Sequence, residues 1–434
     1  MVTSVMKTRS MYADAAAAFL ALSAAALKGV WDAYYLAQID GELLLAFALV
    51  FPLTILVNCC AAGVASGVIA TFGNWPWLVG NGICRTAVLV VTASAVVAGT
   101  LSGVTFWFAG PFVAGGLNAG IHSSHVVTFC AWTALWLPLQ MTSHAWLSIA
   151  RGAGLQKQAA AVIVVCSIAG MMLSMLLLSE PGVDPMRAVV LSNAAIAGVS
   201  CLALLRVVLR ARPILATSTR GASTLLRTIR RVGSAALAAN AFGLAFVTVV
   251  TLRVKALGDD VAAAFAYIAR FEQLALSLSA ALIVAALPYV AQALRAGDVP
   301  LARETAARCC RHLVGLGVVS VVICYLAMEA GAAGPLVGDR DTELLIASML
   351  VPWLVGSTLQ GVGLLKMQVV GTFLRPGVSA MVNAVRFLVV GIPLVLFAER
   401  LFGLAGLVYA MPVAHAVSLL VARFVYAGSW DQRV

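Results

Sequence analysis

The sequence predicts an all-α protein that spans a membrane twelve times. Of its 434 residues, 62% are hydrophobic and only 10% are charged. A typical soluble protein is about half apolar and about a quarter charged. Long uninterrupted apolar runs favour helices, because the strands of a membrane barrel alternate polar and apolar residues over about ten positions. The composition therefore excludes a water-soluble fold.

A spanning helix needs about 20 mostly apolar residues, and this criterion divides the chain into twelve runs. They are 14–37, 43–71, 86–109, 126–149, 159–179, 188–209, 233–254, 262–290, 313–330, 344–371, 378–398 and 403–424. The first run is not a cleaved signal peptide, because it is too long and the acidic residue Asp32 lies near its end. The chain is therefore expected to keep all twelve spans.

The positive charges test this count and predict the orientation. Lys and Arg are enriched in cytoplasmic loops of membrane proteins. With the N-terminus in the cytoplasm, 19 of the 28 basic residues fall on the cytoplasmic side, five fall outside and four lie within spans. The outer five are Arg187, Arg253, Lys255, Arg340 and Arg400, and the four within spans are Lys28, Arg270, Lys366 and Arg386. We therefore expect an inner-membrane protein with both termini in the cytoplasm and no nucleic-acid partner.

The chain also divides into two related halves. Residues 206–232 carry seven arginines and no acidic residue, and they fall at the middle of the chain. The segment Leu36–Phe47 overlays Val254–Phe265, and Arg151 pairs with Arg375 in matching loops. The sequence predicts an N-terminal six-helix lobe over 1–210, a basic cytoplasmic linker over 211–232 and a C-terminal six-helix lobe over 233–434. Repeats of this kind are a transporter architecture.

Four segments resemble the multidrug and toxic compound extrusion (MATE) family. Ala262–Arg311 is similar to the eighth span of that family and the loop after it, and Gly29–Gly67 is similar to its first two spans, with an Asp in the first. Ser148–Gln158 and Gly371–Gly377 resemble the loops after the fourth and tenth spans. The resemblance implies two pseudo-symmetric six-helix lobes around a V-shaped cavity, alternating access, no cofactor, and a superfamily of drug exporters and lipid-linked oligosaccharide flippases.

Asp32 is the strongest candidate for ion coupling. It matches the acidic residue that, in the MATE family, takes part in proton or sodium coupling. Burial in a low-dielectric cavity generally favours the neutral form of a carboxylate, so binding of H⁺ or Na⁺ would neutralise it. Lys28 lies four residues earlier on the same helix face, and an intrahelical pair is the alternative interpretation. The two interpretations are compatible.

The second half departs from the family pattern. Sodium-coupled relatives carry acidic residues in the seventh and tenth spans, whereas Asn240–Gly243 and Gly363–Lys366 contain none. In the fifth span, where some relatives have Asn and Asp, this chain has Gly170 and Ser174. A proton site at Asp32 in the N-terminal lobe is therefore expected over a sodium site in the C-terminal lobe.

Other polar residues within the spans are candidates for a substrate cavity. Arg270 and Glu272 fit the family pattern of a basic residue followed by a carboxylate, and they either line a cavity or form a structural pair. Lys366 either faces an anionic substrate or reaches the inner interface. Arg386 is expected to pair with a carbonyl or a carboxylate. The candidate set is Tyr35, Tyr267, Arg270, Glu272, Gln273, Lys366 and Arg386.

Metal and catalytic sites are not expected. His122 and His125 are placed in an outer loop without a third ligand, and His144 and His415 are interpreted as packing residues. The sequence contains no nucleotide loop, metal cluster or nucleophile motif, so we expect a non-enzymatic, monomeric transporter among membrane lipids. It would export an organic small molecule (a drug, toxin or metabolite) by proton-coupled antiport, with a flippase for a lipid-linked oligosaccharide or polysaccharide precursor as the alternative.

Overall fold

The computed structural model describes residues 2–74, 83–116, 123–211, 214–215, 222–330 and 340–431. The first half forms helices α1 (Val2–Ile39), α2 (Gly41–Leu49), α3 (Phe51–Asn74), α4 (Arg85–Gly116), α5 (Ser123–Gly152), α6 (Gln156–Leu178) and α7 (Pro185–Ala211). Strand β1 (Ile83–Cys84) pairs in parallel with β2 (Ile214–Leu215), and this short pair ties together the loops that precede α4 and follow α7.

The second half is also helical throughout its described residues. It forms α8 (Ala222–Leu257), α9 (Asp259–Arg295), α10 (Val299–Glu329), α11 (Arg340–Val369), α12 (Pro376–Ala384) and α13 (Ile392–Asp431). Two π-helical segments, Val370–Leu374 and Val385–Gly391, flank α12. Helix α8 begins at Ala222, inside the segment 211–232 that the sequence assigns to the linker. The all-α prediction is confirmed, and each of the twelve predicted apolar runs falls in helix.

Proline and glycine account for the breaks between helices. Pro52 has no backbone N–H, and the second predicted span is divided beside it, at Val50, into α2 and α3. Arg375 adopts φ −146° and ψ 87° before Pro376, as expected for a residue that precedes proline. Gly403 has φ 58° and ψ −136° within α13, a conformation open to glycine. This bend separates the eleventh and twelfth predicted spans.

Ten helical stretches in the described residues are long and apolar enough to span a membrane. The last of them, Gly377–Trp430, contains two predicted spans, and α5 does not reach the hydropathy threshold. Large apolar side chains face outward along the helices, with Phe424 76% exposed and Leu202 69% exposed. A soluble protein rarely exposes such a surface, so the chain is a multi-pass membrane protein.

Helix α1 packs against both halves of the chain. Met11 and Ala15, near its start, belong to an apolar cluster with residues of α9, α10, α11 and Trp430. The Tyr289 hydroxyl of α9 donates a hydrogen bond to Asp14 at 3.3 Å. Later in α1, Lys28 and Asp32 face α6 and the rest of the first half. Helix α1 therefore contacts the second half along much of its length, and its later part also contacts the first half.

Helices α3 and α8 approach closely through glycine. A Cβ atom on Gly67 would lie 2.8 Å from the carbonyl oxygen of Ile229, and one on Gly63 would lie 3.1 Å from that of Gly233. Backbone atoms cannot move aside as a flexible side chain can, so this contact between the two halves requires residues without a side chain. It brings the start of α8 against α3.

A substitution tests the close approach. Gly67→Val should lower the midpoint of thermal unfolding in detergent, because overpacking of a tight contact costs about 1–3 kcal/mol. Gly315→Val is the matched control, since a Cβ on Gly315 of α10 meets nothing within 4 Å. Equal unfolding midpoints for the two variants would contradict the close α3–α8 contact.

Candidate functional site

A cavity of about 320 Å³ lies within the first half of the chain. Helices α1 to α7 form its wall, and α9 of the second half adds Arg270 and Gln273. Four aromatic side chains line it: Phe47, Phe106, Phe129 and Trp136. The volume falls in the range of small-molecule binding sites, which are mostly apolar with a few placed polar groups.

Helix α5 supplies more of the polar lining than any other helix. Its cavity residues recur every three or four positions, as one face of a helix does. They are Phe129, Thr133, Trp136, Gln140, Ser143, His144, Leu147 and Arg151. This polar face explains why α5 does not meet the hydropathy threshold for a membrane span although its length suffices: the polar residues face the cavity.

Lys28 and Asp32 form a buried ion pair on the cavity wall. The Lys28 Nζ lies 2.6 Å from Asp32 Oδ2, and the two residues are only 5% and 2% exposed. Lys28 also donates to Ser174 Oγ at 3.2 Å, and Ser174 bonds the hydroxyl of Ser192 at 2.7 Å. The second oxygen of Asp32, Oδ1, has no hydrogen-bond partner among the described residues.

The local sequence of α6 makes room for this pair. A Cβ on Gly170 would lie 3.3 Å from Lys28 Cε and would overlap the side chain of Ile196. Gly170 and Ser174 are the two residues that stand where some relatives of the resembled family carry Asn and Asp. Here they surround a lysine instead, so the departure from the family pattern and the ion pair occur at the same place.

Arg270 reaches the cavity from the second half. Its guanidinium lies over the rings of Phe47 at 4.5 Å and Phe51 at 5.0 Å, and it interacts electrostatically with Asp32. Its Nη1 approaches Gln273 Oε1 at 3.5 Å, the long limit of a hydrogen bond. Gly29 lies opposite, where an added Cβ would be 3.7 Å from Arg270 Cδ.

Arg270 and Glu272 do not form the structural pair that the sequence allowed. Glu272 accepts hydrogen bonds from Trp353 Nε1 at 2.8 Å and from Ser357 Oγ at 3.2 Å, both on α11. Two residues apart on a helix, the side chains face different directions. Arg270 therefore lines the cavity, whereas Glu272 joins the core of the second half.

Four other candidates also lie away from the cavity lining. The guanidinium of Arg386 contacts His415 Nδ1 and interacts electrostatically with Glu272, so its partners are a histidine and a more distant carboxylate. Lys366, in the last turn of α11, lies 5.9 Å from the ring centre of Tyr426. Tyr35 packs on Trp31 at 5.1 Å. Tyr267 is buried and interacts with Tyr34.

The histidines also differ from expectation. His125 lies in the first turn of α5 rather than in a loop, and His122 is outside the described residues. His144 lines the cavity and interacts electrostatically with Arg151, so it is not only a packing residue. Arg151, which the sequence places at the cytoplasmic end of its span, also lines the cavity from the last turn of α5. The three-and-four spacing of polar residues on α5 was the signal that could have identified it.

A second cavity, of about 20 Å³, lies between α3 and the second half. Six polar residues line it: Ser66, Asn240, Gln368, Thr372, Ser379 and Asn383. It is large enough for about one water molecule. It is therefore too small to hold an organic molecule.

Comparison of this structure with solved protein structures identifies the fold. An Asp→Asn variant of the Vibrio cholerae MATE transporter VcmN matches with a TM-score of 0.86 at 14% identity, over 100% of this chain and 99% of that chain. The chain has the MATE transporter fold. No protein-family model and no curated protein matches it by sequence.

Two further structures with the MATE fold match over nearly the full length. The MATE multidrug transporter DinF-BH, solved in complex with a ligand, has a TM-score of 0.80 at 16% identity, over 96% of this chain and 94% of that chain. A transporter of the same superfamily from Pyrococcus furiosus, described by the reverse polarity of its binding pocket, has a TM-score of 0.81 at 16% identity, over 97% and 96%. These matches cover nearly the whole chain with the MATE fold, in which twelve helices form two lobes.

A pair of variants tests the ion pair. Lys28→Met should lower the thermal unfolding midpoint strongly, because breaking a buried pair by removal of one partner costs about 3–5 kcal/mol. Lys28→Met combined with Asp32→Asn should recover most of the loss, since no charge is then left unpaired. If the double variant is less stable than the single one, the two side chains do not compensate each other.

Proposed function

We propose that the protein is a secondary active transporter that exports an organic small molecule across the inner membrane by proton-coupled antiport. The MATE fold supports transport by alternating access, in which the two lobes open the substrate path to one side at a time. The observation that carries the proposal is the buried Lys28–Asp32 pair, because it places a carboxylate with one unbonded oxygen on the wall of the ligand-sized cavity in the first half of the described chain.

Protonation of Asp32 would act on the pair directly. A neutral Asp32 no longer attracts the Lys28 ammonium at 2.6 Å, and loss of a buried pair is worth about 3–5 kcal/mol. A differential free energy of about 5.5 kcal/mol converts a two-state population from 1:99 to 99:1. The free energy of the pair is thus large enough to favour one conformation over another, provided that the pair is intact in only one of them.

Helix α1 supplies a route from the pair to the lobes. Asp32 lies in the part of α1 that borders the cavity, and Met11 to Ala15 lie in the part that packs on the second half. A shift of α1 at Lys28 therefore changes contacts between the halves. Gly29 and Arg270, one on each half, face each other at the same level.

The surroundings of Asp32 favour a proton over a metal cation. Hard cations bind several oxygen ligands at once, whereas the near side of Asp32 is occupied by the Lys28 ammonium. No group of three or more His, Cys, Asp or Glu that could hold a metal ion occurs among the described residues. A proton needs only the one unbonded oxygen.

The excess of basic residues on one side supports the inner-membrane orientation with cytoplasmic termini.

A flippase would require cationic cavity residues that face a lipid-linked pyrophosphate, and the cations within the predicted spans are Lys28, Arg270, Lys366 and Arg386. Two of them, Lys366 and Arg386, contact Tyr426 and His415 instead of lining the cavity. The exporter therefore remains the proposal.

Transport in everted vesicles tests the role of Asp32. Asp32→Asn should reduce substrate uptake driven by a pH gradient (acid inside) at least about tenfold. The reason is that the neutral amide cannot take up and release a proton. Glu304→Gln is the matched control, since Glu304 is an exposed carboxylate on α10 that pairs with Arg308 and does not line the cavity. Full pH-driven uptake by Asp32→Asn would reject the coupling role, and uptake driven only by a sodium gradient would reject proton coupling.

A further inference from the structure

The charges of the cavity in the first half do not balance. Among the described residues that line it there is one carboxylate, Asp32, against three basic side chains, Lys28, Arg151 and Arg270. Asp32 already pairs with Lys28. Neither Arg151 nor Arg270 belongs to an ion pair within the described chain, where the pairs are those of Lys28, Arg253, Lys255 and Arg308. The cavity therefore carries net positive charge.

The contacts of the two arginines leave a net positive charge, because Arg270 shares Asp32 with Lys28 and Arg151 has no carboxylate neighbour of its own in the described lining. Arg270 is 6% exposed and rests on the faces of Phe47 and Phe51, which attract a cation but do not neutralise it. Arg151, at the end of α5, has His144 as its electrostatic neighbour. The buried Arg270 charge has to share its one carboxylate neighbour, which is costly, and an anionic ligand in the cavity would lower that cost.

Hydrogen-bond donors support the same conclusion. The indole Nε1 of Trp136 and the hydroxyls of Thr133 and Ser200 are buried in the cavity wall without a partner in the described residues. Indole nitrogen can only donate, and hydroxyls can donate or accept. One unpartnered acceptor besides Asp32 Oδ1, the Gln140 carbonyl oxygen, lies in the same wall. A ligand that accepts hydrogen bonds through charged oxygens would satisfy the donors.

The geometry points to an amphipathic organic anion as the substrate: we infer that a carboxylate, sulfonate or phosphate group binds against Arg270 and Lys28 while an apolar or aromatic body lies along Phe106, Phe129 and Trp136. This inference rests on the proposed transport function, and it specifies the substrate class. A cationic substrate would instead meet two arginines and a carboxylate already engaged by Lys28. Arg151, 22 residues after Phe129 on α5, lies about 33 Å along the helix and provides a second positive position at the other end of the cavity.

The inference also constrains the coupling. Neutralisation of Asp32 removes a negative charge next to Arg270 and frees Lys28. By electrostatics alone, an anion therefore binds the cavity with protonated Asp32 at least as tightly as the cavity with ionised Asp32. Exchange of an anion against protons therefore requires that the protonated transporter close the cavity. The coupling would then be conformational, through α1, rather than a competition for one charge.

Two dyes with the same xanthene core test the substrate class. Fluorescein is anionic and rhodamine 6G is cationic at neutral pH. Equilibrium dialysis would compare each dye with the full chain in nanodiscs and with empty nanodiscs, which corrects for partition into lipid. Fluorescein should bind the protein at least about tenfold more tightly than rhodamine 6G, because a hydrogen-bonded charge pair contributes roughly a tenfold to hundredfold factor. Tighter binding of rhodamine 6G, or binding of neither dye, would overturn the inference.

Variants locate the binding determinant. Arg270→Gln should weaken fluorescein about tenfold or more without weakening rhodamine 6G, and Arg270→Lys should restore part of the loss because it keeps the charge. Arg253→Gln is the matched control, since Arg253 pairs with Glu399 away from the cavity. Should Arg270→Gln fail to fold, Arg270→Met replaces it with the same expected direction, because the methionine side chain can still pack on Phe47 and Phe51 while the charge is removed. If the folded variant keeps the same ratio of the fluorescein and rhodamine 6G dissociation constants, Arg270 is not the residue that binds the anionic group.

The outcome for Asp32→Asn separates the two proposals. Weaker fluorescein binding by this variant supports closure of the cavity on protonation, whereas tighter binding means that anion and proton bind together and rejects antiport. In both cases the charge preference and its dependence on Arg270 stand. If fluorescein binds as expected but a pH gradient does not move it in proteoliposomes, the transport proposal fails and the substrate class remains.

Discussion

The buried Lys28–Asp32 pair is the interaction on which the surrounding packing and the cavity depend. Either charge alone would be costly at that depth, because the interior cannot solvate it. Together, at 2.6 Å and with Ser174 as a third partner, they are tolerated. The pair in turn requires that α6 present a glycine and a serine to α1, and that the cavity beside it be polar enough to accept the unbonded oxygen of Asp32.

The pair lies on a helix that both halves share, and this links chemistry to conformation. In a bundle where each helix contacted only its own half, a change at one side chain would stay local. Here α1 contacts α6 over part of its length and the apolar cluster of α9, α10 and α11 over another. Arg270 crosses in the opposite direction, from the second half onto Phe47 of the first. Each half therefore contributes contacts to the other near the Lys28–Asp32 pair.

The sequence predicts what depends on local physics and misses what depends on packing. The spans follow from apolar runs, the breaks at Val50 and Arg375 follow from Pro52 and Pro376, and the Lys28–Asp32 pair follows from a four-residue spacing on one helix. The partners of Glu272 and Arg386 come from separate helices, at Trp353 and His415, and no spacing rule reaches them. Arg151 shows a different limit: the rule that basic residues mark cytoplasmic ends gives its position along the helix, and it does not predict that the side chain lines the cavity.

The polar face of α5 has a consequence for how the protein enters the bilayer. A helix with Thr133, Gln140, His144 and Arg151 along one side is a poor substrate for insertion by itself, since each such group must leave water before its partners are in place. Helix α4 is far more apolar, and it packs on α5 so closely that Gly99 and Gly103 lie directly against the backbone of Pro138 and Ala134. The two helices are adjacent in the chain and suited to insert as a hairpin, with α4 carrying α5 into the membrane. The residues that make room for a ligand in the finished protein thus make its biogenesis depend on a neighbour.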